Sequence, residues 1–173
     1  MQPKFLIAID PGAKGAVASY STVFQSARPQ GSEYEPVWTV EKLAESPLER
    51  FEQLGGYARG AIQLETPRVV VLEDIGGYTG TPQPGSRMFT FGRNYGQLEG
   101  FLIALGYQII RVRPQAWQKA LSLSTRKGES KPDHKRRMRL KALDLFPQLK
   151  PTLDQADALL ILYSYIEKYL TKE

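Results

Sequence analysis

Apolar residues fall along this chain in short blocks whose period changes. Residues 5–9 (FLIAI) are an unbroken apolar run halted by Asp10-Pro11-Gly12, and residues 15–20 resume it. This pattern predicts a buried strand, a tight turn and a second strand. Residues 25–36 (QSARPQGSEYEP) are polar and punctuated by Pro and Gly, so a loop is expected before a third strand at 37–40. Ser46-Pro47-Leu48-Glu49 then carries a capping side chain, a proline at the first helical position and the glutamate of a capping box. Leu48, Phe51, Leu54 and Ala58 follow at helical spacing until Pro67.

Residues 69–72 (VVVL) predict another buried strand, which delivers Glu73 at its end. Residues 76–86 (GGYTGTPQPGS) are loop-like, and a helix is expected from about Arg87 to Leu105, stopped by Gly106. Within that helix Gly92, Gly96 and Gly100 line one face with no side chains, at a cost of roughly 1 kcal/mol each against alanine. Close approach of another element is the expected compensation. Residues 107–112 predict a strand, 114–121 a short helix and 122–132 a polar, basic loop. Asp133 is expected to cap a helix over 134–146. Thr152-Leu153-Asp154-Gln155 reads as a capping box opening a last helix through about Leu170. The order predicts an α/β fold: a five-stranded mixed sheet with helices on both faces, in a single domain over 1–173.

Composition narrows the classes. With 42% hydrophobic and 24% charged residues, global disorder and collagen-like repetition are excluded. There is no cysteine, hence no disulfide framework, thiolate metal site or cysteine nucleophile, and a reducing cytoplasm is the expected location. No apolar run approaches the roughly 20 residues that span a bilayer. The run at 5–9 is too short for a signal-peptide core, so neither membrane nor targeting is expected.

Net charge is +5, but its placement matters more. From Arg111 to Lys141 there are eleven Lys/Arg against Glu129 and Asp133, a local +9, so the remainder, with twelve basic and sixteen acidic residues, carries −4. A mildly acidic body with one basic district is the footprint of a polyanion-binding protein. A solvated basic helix face is the plainer alternative.

Candidate chemistry lies with acids held by local structure. Asp10 ends the first strand and Glu73 the fourth; Asp154 and Asp157 share one face at the start of the last helix. If the two strands are neighbours, a helix laid across their ends completes a group of four carboxylates. Hard oxygen donors without cysteine point to Mg²⁺ or Mn²⁺ rather than zinc. Two such ions about 3.5–4 Å apart would activate water and stabilise the leaving oxygen of a phosphodiester. Each acid also has a local explanation: first-turn acids favour the helix dipole, Asp-Pro-Gly is a common turn, and an acid after a strand marks a loop, as Asp74 does. Their joint occurrence beside the basic segment favours the metal site.

IAIDPGAKGA at 7–16, VVVLEDI at 69–75 and DQADALLILYSY at 154–165 together resemble the RuvC-type Holliday junction resolvases of the RNase H-like superfamily. FGRNYGQLEGFLIALGYQIIRVRPQAWQKAL at 91–121 resembles the middle of the same family, leaning towards its divergent phage and chloroplast members. The resemblance implies an RNase H-like fold in which Asp10, Glu73, Asp154 and Asp157 bind two Mg²⁺ ions, with Mn²⁺ an alternative. It further implies that Lys119, in QAWQKAL, and Lys135, in PDHK, lie near the scissile phosphate, Lys131 being close enough to compete for the second position. Tyr78, Phe89 and Phe91 are candidates for stacking on junction bases, with core packing the alternative for the two phenylalanines. Arg87 and Arg93 flank them. Arg113, Lys119, Arg126, Lys127, Lys131, Lys135 and Arg136 are expected on DNA phosphates, and His134 on a phosphate or as a cap. Trp38, Trp117 and the Leu159, Leu160, Tyr163, Ile166, Leu170 stripe read as packing.

The implied activity is metal-dependent, structure-selective endonucleolysis by a homodimer. It makes paired symmetric nicks in four-way DNA junctions and leaves 5′-phosphate and 3′-hydroxyl ends. The Gly92/Gly96/Gly100 face is a candidate subunit contact, packing on the chain's own sheet being the alternative. Three other readings use the same residues: a ribonuclease H-type enzyme on hybrid or other branched substrates, a non-cleaving nucleic-acid-binding module, and an actin-like phosphate-binding protein. The chain is short for the last.

Overall fold

The structure, a computed structural model, describes residues 5–12, 14–22, 36–76 and 84–169. Along the described residues run β1 (Phe5–Asp10), β2 (Ala16–Ser21), β3 (Val37–Lys42), α1 (Pro47–Gln63), β4 (Val69–Glu73), α2 (Gly85–Ala104), β5 (Gln108–Val112), α3 (Pro114–Ala120), α4 (Lys131–Leu145) and α5 (Leu153–Tyr169). The strands form one mixed sheet in the order β3-β2-β1-β4-β5, with β1–β2 and β2–β3 antiparallel and β1–β4 and β4–β5 parallel. Every residue of β1 and β4 is buried, which is why both read as continuous apolar runs rather than alternating ones.

Side-chain alternation sorts these strands into two cores. Ile7, Ile9, Val17, Val70 and Leu72 meet Leu54 and Ala58 of α1 and Leu98 and Leu102 of α2. Leu6, Ala8, Ala16, Ala18, Val69 and Val71 face the other way, onto Trp117 of α3, Met138 and Ala142 of α4, and Leu159, Leu160, Ile161 and Leu162 of α5. By the same parity, Asp10 follows Leu6 and Ala8, and Glu73 follows Val69 and Val71. Both acids therefore project towards α5. Trp38 packs as expected, with ring centroids 4.7 Å from Phe146 and 5.1 Å from Tyr20. Leu170 lies outside the described residues, as do 77–83 and most of the loop expected at 25–36.

Capping confirms some expected boundaries and moves others. Ser46 Oγ accepts from the Glu49 N–H at 3.2 Å, and Gly106, with φ +73°, follows the end of α2. That helix begins two residues earlier than expected, at Gly85. The penultimate helix is capped by Ser130, not Asp133: Ser130 Oγ accepts from the Asp133 N–H at 3.3 Å. Pro132 is compatible with a first helical turn, so the helix starts ahead of it, and Asp133 Oδ2 accepts from the Ser130 hydroxyl at 2.5 Å. At α5, Thr152 N–H donates to Gln155 Oε1 at 3.0 Å, the backbone half of the expected box. No described helix is long and apolar enough to cross a membrane.

Among the described residues, the bare face of α2 does not pack on the chain's own sheet. Gly92, Gly96 and Gly100 are exposed, and nothing in the described chain lies within 4 Å of where their Cβ atoms would stand. The sheet packs against Leu98 and Leu102 instead, on another side of the helix.

Glycine substitutions separate permissive sites from sterically required ones. Gly60, in α1, has open space around its Cβ position, so Gly60→Ala is expected to raise stability by about 1 kcal/mol in chemical denaturation. At Gly15 a Cβ would stand 2.3 Å from the Asp10 carbonyl oxygen and 2.9 Å from that of Gly12. Gly15→Ala is expected to lower stability by about 1–3 kcal/mol in the same measurement.

Candidate active site

Register places the first two acids. Ile9 pairs with Leu72 in the parallel β1–β4 ladder, so Asp10 and Glu73, each one residue further on, emerge together at one end of the sheet. The turn after β1 holds Asp10: Gly12 N–H donates to Asp10 Oδ1 at 3.0 Å, and Gly15 N–H to the Gly12 carbonyl at 2.8 Å. The close backbone contacts of Gly15 give the spacing Asp-Pro-Gly-x-x-Gly a steric reason. α5 crosses the same face and brings Asp154, half-buried, and Asp157, buried. Asp10, Glu73 and Asp157 are only 9%, 7% and 6% exposed.

Two side chains from other helices enter this group. Trp117 Nε1–H donates to Glu73 Oε1 at 2.9 Å from α3, so the indole does more than pack. From α4, the Lys135 ammonium forms an ion pair with Asp157 Oδ2. The other oxygen, Asp157 Oδ1, is buried and has no hydrogen-bond partner. The Tyr95 hydroxyl donates to the Glu73 carbonyl at 3.4 Å.

Burial and mutual repulsion act on these acids together. Glu73 is pushed up to about 7, first by burial and then by the charge of Asp10, with the Trp117 hydrogen bond pulling the other way. Asp10 is raised by burial and by Asp157, against the Gly12 N–H and Lys135. Asp157 is raised by burial, against its ion pair with Lys135. For Lys135, burial disfavours the ammonium, but Asp157, Asp10 and Glu73 outweigh it and the group is raised.

Among the described residues, no three Asp, Glu or His side chains are gathered closely enough to hold a metal ion as they stand. The donor chemistry nonetheless fits a hard divalent cation. Acidic oxygens, no thiolate, a buried oxygen without a partner, and three buried acids facing one ammonium make an electrostatic environment that favours added positive charge.

The remaining candidates lie around this centre with different degrees of contact. Lys135 joins the acids, whereas Lys131 opens α4 and is exposed. Lys119 sits exposed in the last turn of α3, two residues past Trp117, and makes no ion pair among the described residues. Arg113 Nε lies 3.9 Å from Asp74 Oδ2, and Arg136 pairs with Asp133 at 3.5 Å. Arg126, Lys127 and Arg93 are exposed. Arg87 and Phe91 line a cavity of about 400 Å³ with Thr90, Asn94, Ser86 and Pro11, the residue next to Asp10. Phe89 is not a core residue: it is 72% exposed. Phe91 is half-buried, its ring 6.1 Å from Tyr95. Tyr78 lies outside the described residues.

His134 does not cap its helix, since Ser130 does. Its Nε2–H donates to the Leu123 carbonyl at 2.9 Å, and Nδ1 lies 3.2 Å from Thr125 Oγ1. Glu129 and Arg137 hold the same basic loop: Arg137 donates to both Glu129 oxygens and to the Ser124 carbonyl, and Arg126 N–H donates to Glu129. The basic district is therefore partly an internally braced loop. No sequence spacing announces that bracing, nor the Trp117–Glu73 bond across 44 positions.

No family model and no curated protein matches the sequence. Solved structures do match. One of Thermus thermophilus RuvC is 15% identical with a TM-score of 0.54, covering 96% of this chain and 97% of that one. Another, T. thermophilus RuvC in complex with Holliday junction substrate, is 14% identical with a TM-score of 0.55, covering 95% and 96%. The yeast mitochondrial Holliday junction resolvase Ydc2 is 15% identical with a TM-score of 0.46, covering 93% and 77%. The sheet order and the helices on both faces are those of the RNase H-like fold seen in RuvC.

The raised acids make stability depend on pH in a defined direction. Folded Glu73 holds its proton to about pH 7, above the usual 4.5, so between these values the folded state binds more protons than the unfolded one. Stability without added metal is expected to fall as pH rises from 5 to 8, as read by thermal unfolding in EDTA. Glu73→Gln is expected to flatten that fall. Trp117→Phe removes a hydrogen bond that favours the carboxylate, and is expected to raise the Glu73 pKa further in an NMR titration.

Proposed function

We propose that this chain is a Holliday junction resolvase: a metal-dependent, structure-selective endodeoxyribonuclease that makes paired symmetric nicks in four-way DNA junctions. The supporting observation is the meeting of Asp10, Glu73 and Asp157 at one sheet end, under a helix that also carries Asp154 and beside basic α4. The RNase H-like fold shared with RuvC is consistent with that reading. The motif at 91–121 favours a divergent, phage- or chloroplast-type member, with the nuclease domain extending over 1–173 and a cytoplasmic location.

In this reading Asp10, Glu73, Asp154 and Asp157 hold two Mg²⁺, or Mn²⁺, which when bound supply water activation and charge neutralisation at the departing 3′ oxygen. The chain's own residues do the rest. The Asx turn of Asp10 and the Trp117–Glu73 bond fix two acids against their mutual repulsion. Lys119 and Lys135 stabilise phosphate charge at the cut. Arg113, Arg126, Lys127, Lys131, Arg136 and the flanking Arg87 and Arg93 contact DNA phosphates, with His134 holding the loop that carries Arg126 and Lys127. Phe89, exposed ahead of the cavity that Phe91 lines, stacks on a junction base for about 1–3 kcal/mol. Junction choice follows from shape and deformability more than from base contacts. Two symmetric cuts require two sites, hence a homodimer, and the open glycine face of α2 is its candidate contact.

The Lys135–Asp157 ion pair favours one second reading, a junction-binding module that does not cut. Cleavage of a synthetic four-way junction beside linear duplex, Y-fork and RNA–DNA hybrid, with and without Mg²⁺, separates the readings. Paired nicks confined to the junction and dependent on Mg²⁺ are expected, and Asp10→Asn or Asp157→Asn is expected to slow them more than about 100-fold. Unchanged cleavage in Asp10→Asn, or equal cutting of hybrid, contradicts the proposal. Binding is expected to weaken with salt at a log–log slope of about −0.9 per phosphate contact.

A further inference from the structure

A group of buried acids needs a counter-charge whether or not a metal is present. Asp10, Glu73 and Asp157 are each at most 9% exposed; burial and the charge of Asp157 raise the proton affinity of Asp10, and burial with the charges of Asp10 and Asp157 raises that of Glu73. Among the described residues, one ammonium pairs with them. The Lys135 ammonium pairs with Asp157 Oδ2 and is felt by Asp10 and Glu73 as well. With the ammonium in place, the acids are not gathered into a metal-holding set, and Asp157 Oδ1 is left buried without a partner.

We propose that Lys135 is the built-in counter-ion of the metal-free site, and that its ammonium and a divalent cation compete for Asp157. This inference rests on the metal-site reading above and adds a role for the lysine before substrate arrives. A lysine suits the role because its charge is compact and carried on a flexible stem, so it can leave Asp157 without moving the backbone of α4. The ion pair is half open to solvent on the lysine side, at 45% side-chain exposure, which provides the direction in which the ammonium leaves. Freed from Asp157, the same ammonium is available to a phosphate oxygen. Occupation by the metal and readiness of the lysine are thereby coupled, and linkage makes the coupling reciprocal.

The test is Mn²⁺ binding to the whole chain by titration calorimetry, with thermal unfolding in EDTA and in Mn²⁺. Lys135→Met is expected to bind Mn²⁺ about tenfold more tightly, because the competing cation is gone. The same variant is expected to unfold about 5 °C lower in EDTA, since the acids lose their internal partner, and to gain more from Mn²⁺ than the unmodified chain. Lys135→Gln, which can still donate to Asp157, supplies the measurement if Lys135→Met does not fold without metal. Lys141→Met is the control for charge alone: Lys141 lies on the same helix and pairs with Asp144. It is expected to change Mn²⁺ affinity less than about twofold.

Equal or weaker Mn²⁺ affinity in both Lys135 variants, with binding to the unmodified chain intact and lost in Asp157→Asn, overturns the counter-ion role and leaves the metal site standing. Mn²⁺ binding that survives in both Asp10→Asn and Asp157→Asn overturns the metal-site reading, and the counter-ion role with it.

Discussion

The burial of like charge at one end of a sheet is the constraint on which this structure turns. Asp10, Glu73 and Asp157 are removed from water almost completely; burial makes all three harder to ionise, and the charge of Asp157 adds to this at Asp10 and Glu73. A fold dedicated only to stability has little use for such a group, since apolar residues of similar volume would serve at lower electrostatic cost. Among the described residues, a backbone N–H at Gly12, an indole N–H at Trp117 and an ammonium at Lys135 counter the repulsion. Each satisfies a different acid. None neutralises the whole set.

The packing of the surrounding elements holds that arrangement in place. Alternation along β1 and β4 sends Asp10 and Glu73 to the face covered by α5, while the residues between them fill the opposite core under α1 and α2. α5 is buried along its middle, at Leu159, Leu160, Ile161 and Leu162, so its N-terminal end is pinned over the strand ends. α3 and α4 pack on the same side and deliver Trp117 and Lys135. The basic loop before α4 is braced by Glu129, Arg137 and His134, which leaves Arg126 and Lys127 exposed on a fixed frame. Acids and surrounding cations thus share one set of packed elements.

Much of this was legible in the sequence, and the exceptions share a cause. Continuous apolar runs at β1 and β4 mark central strands, and helical spacing behind a capping box marks α1. The strand-end acids and the Asp154/Asp157 pair stand at positions where local structure alone fixes their direction. The cap of α4 is ambiguous in the sequence because Ser130 and Asp133 are both capping residue types, and only the fold shows which one accepts the backbone N–H. Trp117 as a donor to Glu73, and His134 as a loop tether, depend on partners 44 and 11 positions away, for which no spacing rule exists. The α2 glycines point to a close neighbour, yet nothing among the described residues lies against their face. Periodicity tells which residues share a face but not what lies opposite it. Phe89 illustrates the same limit, since an aromatic in a helix reads as core until its exposure is seen.

Everything proposed for this chain depends on whether these acids act as one cation-binding centre. The most direct measurement is anomalous scattering from crystals of the chain grown or soaked with Mn²⁺. Manganese density is expected among Asp10, Glu73, Asp154 and Asp157, with the carboxylates drawn towards it and the Lys135 ammonium away from Asp157. Manganese found only at other surface acids, with the Lys135–Asp157 pair unchanged, would contradict it.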